Sequence, residues 1–405
     1  MVSLEIPPQE FADRRNKAVR AARDRGLAGL LIWSRGGTTV DYYGDVLYLT
    51  NHHSPFPQNS ETTQWSSRSY SALILPTDDD PVLVVDLPDY PRDRIYVDEV
   101  RPTLKVPQTV AYNLREKGLD KANLGLVGRE CLLLHSYRLM EETLGHSLRV
   151  EVADDILETL RRVKSENEIR IIRHAAAVGV EWMRIMMEAI EAGKTEGDFI
   201  GEGLRYFAAS GGFPYDVAVA SGPNSHRFER IGIPSWDFRR KLQRGDIVHV
   251  DAWGPVEYYY TDLVRSTIVG REPSEAQKEV LEAPIGVVES ILEIIKPGIT
   301  IGEMYQRGAS WLVENGFGSH RSDVKASGTE FGELFPAFGH CIGLGLEPPW
   351  IIEGEPTILE ENMVIAVEAG VGRAKVGAAG FEQDVLVTST GCEVLTAACP
   401  KRWWD

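Results

Sequence analysis

Five residues in the second half of this chain could act together chemically: Asp251, Asp262, His340, Glu368 and Glu382. The segment 244–270, RGDIVHVDAWGPVEYYYTDLVRSTIVG, reads as two strands rich in Val, Ile, Tyr and Thr, broken at Gly254–Pro255. A hairpin centred between Val256 and Glu257 sets Asp251 directly opposite Asp262, their Cβ atoms about 5 Å apart. The construction recurs in ENMVIAVEAGV and AGFEQDVLVTST, where a turn within GRAKVGAA sets Glu368 opposite Glu382. Facing carboxylates repel, and four in one pocket raise each other's pKa unless cations keep them ionised. Oxygen donors suit Mn, Mg or Co, and one imidazole shifts the preference toward Mn, Co, Fe or Zn. The candidate imidazole is His340 in PAFGHCIGLGLEPPW, whose glycines let backbone approach a site closely. Taken singly, an Asp pair across a hairpin is usually a solvated face, and a His in a Gly-rich loop is usually structural. Two such hairpins plus a His point to a metal site.

The elements that must carry these residues come in two blocks. Residues 11–33 read as a helix running into the strand AGLLIW, and DVLYLT at 45–50 reads as a further strand. SYSALILP, PVLVVD and LGLVG continue the strand rhythm before a helix near 133–144, so residues 1–157 are expected to form an α/β domain. A capping box, Ser165 with Glu168, opens the first helix of a second domain spanning 158–405. Within it IEAGKTEGDFI (190–200) and IKPGITIGEMY (295–305) align Gly193 with Gly298 and Thr195 with Thr300. That alignment fits either a duplicated α/β half with a site at the junction or two unrelated turns built on common cap chemistry.

At 405 residues the chain is long for one core, and 43% hydrophobic with 25% charged residues is ordinary for a globular protein. The net charge of −17 argues against a nucleic-acid partner. No segment reaches the roughly 20 apolar residues of a membrane span, and MVSLEIPPQEF lacks a signal-peptide core. Four cysteines without CxxC spacing suit a reduced, cytoplasmic setting.

These motifs together resemble the superfamily of methionine aminopeptidase, aminopeptidase P, prolidase and creatinase, whose catalytic domain is the pita-bread fold. The resemblance covers most of 160–396, through LRRVKSENEI, VASGPNS, RGDIVHVDAWG, FGHCIGLGLEPP, ENMVIAVEAG and FEQDVLVTSTG. GLAGLLIW and DVLYLTN are similar to the non-catalytic N-terminal domain of aminopeptidase P and creatinase. The implied fold class is α/β, a creatinase-like domain followed by a pita-bread domain built from two pseudo-symmetric halves. The resemblance also implies two divalent metal ions, manganese first, with cobalt, zinc or iron as alternatives. Asp251 would bind one, Asp262 and Glu382 would bridge both, and His340 and Glu368 would complete the other. A hydroxide between the cations would attack a polarised carbonyl, with Glu368 as ligand and proton shuttle. Arg265 could brace a carboxylate. A homodimer is implied as well.

The sequence departs from the proline-peptidase pattern in two places. Such enzymes carry a second, substrate-contacting His after the His340 motif, where GHCIGLGLEPP is one residue short and offers Leu346 or Glu347. They also place a His several residues after the SGPN-type turn, whereas His226 follows sooner in SGPNSHRFERIGIPSWD. His226 is the candidate catalytic residue there, with Arg227 or Arg230 as alternative holders of a substrate carboxylate. Three functions follow: an Xaa-Pro hydrolase of short peptides, a small-metabolite amidohydrolase or lyase, and a metal-free binding protein, against which the intact ligand set argues. His52, His53, Phe56, Trp65 and Tyr70 form a candidate lid or pocket wall.

Overall fold

The structure, a computed structural model, describes residues 4–36, 43–54, 62, 64–66, 68–86, 90–225, 234–270, 272–317, 337–373 and 375–404. It divides into two compact units between Arg162 and Val163. The first unit comprises α1 (Pro8–Asp24), β1 (Gly29–Arg35), α2 (Gly44–Thr50), β2 (Tyr70–Pro76), β3 (Val82–Val85) and β4 (Glu99–Pro102). It continues with α3 (Val106–Glu116), β5 (Asn123–Val127), α4 (Leu134–Leu144), β6 (Arg149–Val152) and α5 (Asp154–Arg162). The strands form one mixed sheet in the order β4-β3-β2-β1-β5-β6. The expected boundary at 157 moves to the end of α5, which is bound into this unit by Tyr48 Oη donating to Leu160 O and by the Arg161–Asp45 ion pair.

One expected strand is a helix. DVLYLT forms α2, because its backbone groups are satisfied locally and from α1 rather than by a neighbouring strand. Val46 N donates to Ser34 Oγ, while Arg14 and Arg15 donate to the carbonyls of Tyr48 and Leu49 at the helix's C-terminal end. A short apolar run carries no periodicity that separates a buried helix from a buried strand. His52 and Tyr70 are buried within this unit, and His53 packs edge-on against Tyr43 at 4.9 Å. Trp65 lies under the Arg68 guanidinium, and Phe56 falls outside the described residues. His52 and Tyr70 therefore serve packing rather than offering an exposed wall.

The second unit opens with α6 (Glu166–Glu188), α7 (Glu196–Ala209), β7 (Asp216–Ser221), β8 (Ile247–Val256) and β9 (Tyr259–Ile268). Then follow α8 (Glu275–Leu292), α9 (Ile301–Glu314), β10 (Gly339–Ile342), β11 (Leu346–Trp350), β12 (Val364–Arg373), β13 (Gly377–Val387) and β14 (Cys392–Val394). Its strands form two sheets, β7-β8-β9 and β11-β10-β12-β13-β14. Each half packs two helices on its own sheet around its own core, one containing Trp182, Phe199 and Val250, the other Ile291, Met304 and Ile365.

The repeat read from Gly193 and Gly298 is a structural one. Both glycines hold left-handed backbone, with φ of 94° and 97°, a conformation open to Gly at little cost. Gly193 N donates to Leu242 O and Gly298 N to Leu359 O, and each of those leucines returns a bond to the residue after its glycine. Thr195 and Thr300 then cap α7 and α9 through capping boxes with Asp198 and Glu303. The same interval separates Leu242 from Asp251 and Leu359 from Glu368, so the duplication delivers one carboxylate to the equivalent strand of each half.

Helix α6 reaches β9 at Gly179, where a Cβ would lie 2.3 Å from Thr261 Oγ1. Thr261 cannot turn aside freely, because its hydroxyl donates to Asp384 Oδ2. Gly179→Ala should therefore destabilise the protein by about 1–3 kcal/mol, read as a lower midpoint in urea unfolding at unchanged slope.

Candidate metal centre

Both expected hairpins form, and their turns decide how the carboxylates meet. β12 and β13 pair antiparallel with Glu368 opposite Glu382, closed by a connection in which Lys375 has φ of 66°. β8 and β9 close instead through a two-residue turn, Glu257–Tyr258, with φ of 49° and 71°. Positive φ at both central residues marks the turn whose twist suits adjacent strands. It sets Trp253, rather than Asp251, opposite Asp262, and pairs Asp251 with Val264. The two aspartates are thus diagonal neighbours, still on one face because the register differs by an even step. Gly254–Pro255 does not break the strand. Both residues lie within β8, opposite Thr261 and Tyr260, and Tyr260 N donates to Gly343 O instead of needing a partner in β8.

β10 brings His340 to the same place. It pairs with Ala366 of β12, one turn of the strand pleat from Glu368, and Gly339 permits the approach because a Cβ there would meet Ala366 O at 1.9 Å. His340 Nδ1 lies 3.0 Å from Cys341 O. A carbonyl only accepts, so Nδ1 carries the proton and Nε2 presents its lone pair. Nε2 is 3.7 Å from Asp262 Oδ2. Ligand atoms of Asp262, His340 and Glu382 lie within 4.8 Å of one another, and all three residues are buried. Glu368 and Asp251 act on this group through charge, both raising the pKa of Asp262 and Glu382.

Burial is the largest cause of the perturbation. It holds the carboxyls of Asp262 and Glu382 well above the usual range, with neighbouring carboxylates adding to the effect. It pushes Glu368 up to about 8 and lowers His340 to about 4, leaving a neutral imidazole. Asp262 Oδ1 and Glu382 Oε2 are buried with no hydrogen-bond partner. Buried acceptors left unmatched are costly, and a divalent cation satisfies both atoms while removing the repulsion. This donor set of carboxylate oxygens and one imidazole fits such a cation.

His226, Arg227 and Arg230 lie outside the described residues. Among the described residues Arg265 donates no hydrogen bond to a carboxylate, though its charge lowers the pKa of Asp384. Its buried guanidinium donates to the carbonyls of Glu382, Val264, Cys399 and Pro400 and to Gln383 Oε1, so it clamps backbone beside Glu382. Glu347 is held by a buried ion pair with Lys164 at 3.0 Å, and half-buried Leu346 pairs with Ile342. Asp384 was not foreseen. Its Oδ2 accepts from Thr261 Oγ1 and Asp262 N, tying β9 to β13, and burial raises its pKa to about 7. The available signal was its spacing, since a residue two beyond Glu382 must share its face.

Comparison with known proteins agrees with this geometry. Residues 170–389 match metallopeptidase family M24. The Xaa-Pro dipeptidases of Pyrococcus horikoshii and Pyrococcus furiosus are 30% and 29% identical over 247 residues, 60% of this chain. The match spans 65% of each of those relatives' own length. Among solved structures, the prolidase of Pyrococcus horikoshii gives a TM-score of 0.77 at 22% identity, covering 95% of this chain and 98% of that one. A dipeptidase from Mycobacterium ulcerans gives 0.74 at 25% identity, covering 96% of each. The fold is therefore the pita-bread fold preceded by an α/β unit. Among the described residues no helix is long and apolar enough to cross a membrane.

The raised carboxyl pKa values fix the sign of a pH effect. Glu368 rises from 4.5 to about 8 on folding, so the folded chain binds more protons than the unfolded chain between those values. The contribution of Glu368 to the stability of the metal-free protein is then fullest below pH 4.5 and falls as pH rises toward 8. Thermal melts of chelator-treated protein should show a melting temperature that drops over this window, and added Mn²⁺ should raise it most at the alkaline end. A melting temperature independent of both pH and Mn²⁺ would remove the carboxylate cluster as its cause.

Proposed function

The chain belongs to metallopeptidase family M24, and we propose that it is a metal-dependent hydrolase cleaving the peptide bond before proline in short Xaa-Pro substrates. The observation that carries this is the convergence of Asp262, His340 and Glu382 in a buried cluster, with Asp251 and Glu368 adding charge to it. The named relatives are Xaa-Pro dipeptidases, which supports the substrate class.

In this reading Asp262 and Glu382 would hold two divalent cations, with manganese the first choice. Asp251, His340 Nε2 and Glu368 would complete the set of ligands. When bound, the cations polarise the scissile carbonyl and lower the pKa of the attacking water. His340 is fixed for its part by the Nδ1 bond to Cys341 O. Glu368 is the most accessible of the five residues, at 8% against 5% or less for the others. It accepts a proton as the water oxygen bonds to the carbonyl carbon, and returns that proton to the nitrogen as the C–N bond breaks. The buried surroundings exclude bulk water and strengthen each electrostatic contact.

A second reading, hydrolysis of a small non-peptide amide, is favoured by β11. Its Leu346 is apolar and its Glu347 is committed to Lys164, so that strand supplies no second imidazole for a peptide.

Purified protein loaded with Mn²⁺ should cleave glycyl-L-proline and lose the activity to EDTA. Glu368→Gln should lower kcat by about 10²–10⁴-fold while the protein still takes up metal, read by plasma mass spectrometry. Metal uptake without dipeptide cleavage would shift the conclusion to the second reading. Failure to take up any metal would remove both.

A further inference from the structure

We propose that Trp253 forms a substrate subsite beside the metal centre, its indole N–H donating to a substrate oxygen and its ring packing on an apolar group next to the scissile bond. The proposal deepens the Xaa-Pro reading and rests on it for the identity of the peptide.

Register places the residue. Trp253 lies opposite Asp262 in β9 and opposite Asp216 in β7. It is two residues along β8 from Asp251, so it stands on the carboxylate face of the sheet. No sequence argument anticipated this, because an expected Asp251–Asp262 pairing left Trp253 at the end of a broken strand.

Its surroundings point to a ligand. The indole Nε1 is buried and has no hydrogen-bond partner, which is costly for a donor that water cannot reach. The neighbouring carboxylate is already engaged: Asp216 Oδ2 accepts from Ser235 Oγ at 2.6 Å and Oδ1 from Val217 N at 2.8 Å. On its outer side the indole meets the Tyr215 ring, with centroids 5.7 Å apart. Exposure rises from 4% at Asp262, through half-buried Trp253, to 40% at Tyr215. The two rings thus make an aromatic wall running from the buried carboxylates toward solvent, with one unused donor near its inner end. A short peptide offers the matching chemistry: an apolar ring or side chain for the wall and a carbonyl or carboxylate oxygen for the indole.

Trp253→Phe keeps the wall and removes the donor. With glycyl-L-proline it should raise KM about tenfold, the scale of one hydrogen bond, with kcat within about twofold and metal content unchanged. An unchanged KM rejects the donor. A readout independent of turnover comes from labelling the nine tryptophans with 5-fluorotryptophan, the Trp253 resonance being the one absent from the W253F spectrum. Mn²⁺ should broaden this resonance, and L-proline added to the Zn²⁺-loaded protein should shift it. A Trp253 resonance indifferent to Mn²⁺ or to L-proline overturns the subsite whatever the activity. A shift in a protein that cleaves no Xaa-Pro dipeptide supports the subsite and defeats only the peptidase reading.

Discussion

The constraint on which the second unit depends is the mutual repulsion of carboxylates gathered out of water. Asp251, Asp262, Glu368 and Glu382 are each at most 8% exposed, and Asp384 is buried beside them. Desolvation opposes ionisation of Asp262, Glu368, Glu382 and Asp384, and the neighbouring charges add to it at Asp262 and Glu382. Without a cation, protonation can relieve this, and the raised pKa values of Asp262, Glu368 and Glu382 favour it. A cation relieves it without a change of pH. The fold therefore gathers carboxylates that are held together only by taking up protons or a cation, which is a signature of function rather than of packing.

The architecture holds that grouping from both sides. The duplicated halves each build a helix pair on a hairpin around a core cluster of its own, with Ile247 and Ile268 of the first hairpin packed into the second cluster. Where β9 meets β13, side chains replace a backbone ladder. Ser266 Oγ both donates to Gly380 O and accepts from Gly380 N, and Asp384 receives Thr261 Oγ1 and Asp262 N. Arg265 then joins the backbone at Glu382 to the carbonyls of Cys399 and Pro400, and Thr267 Oγ1 donates to Trp403 O. The C-terminal segment is in this way part of the frame around the metal ligands. These bonds fix the backbone on either side of Asp262 and Glu382.

How much of this was legible in the sequence follows from what each feature depends on. Glu368 and Glu382 could be paired from spacing because the turn between them falls at the midpoint that facing carboxylates require. Asp251 and Asp262 obeyed the same logic and gave a register wrong by two residues, since the left-handed turn at Glu257–Tyr258 sets it. Face survived the error because the side-chain period is two. Capping chemistry at Ser165, Thr195 and Thr300 is local and was readable. The helix at DVLYLT was not, because Arg14 and Arg15 decide it from another element. Arg265 likewise gave no sign that its partners would be carbonyls far along the chain, and the role of Trp253 depends on the corrected register.

The central claim is that the cluster around Asp262 and Glu382 is a cation site. Its most direct test is anomalous diffraction from crystals of this protein grown with Mn²⁺. The account predicts strong anomalous density in contact with Asp262, His340 Nε2 and Glu382, lost in Glu382→Gln crystals. Well-ordered, ionised carboxylates at neutral pH with no anomalous density between them would contradict it.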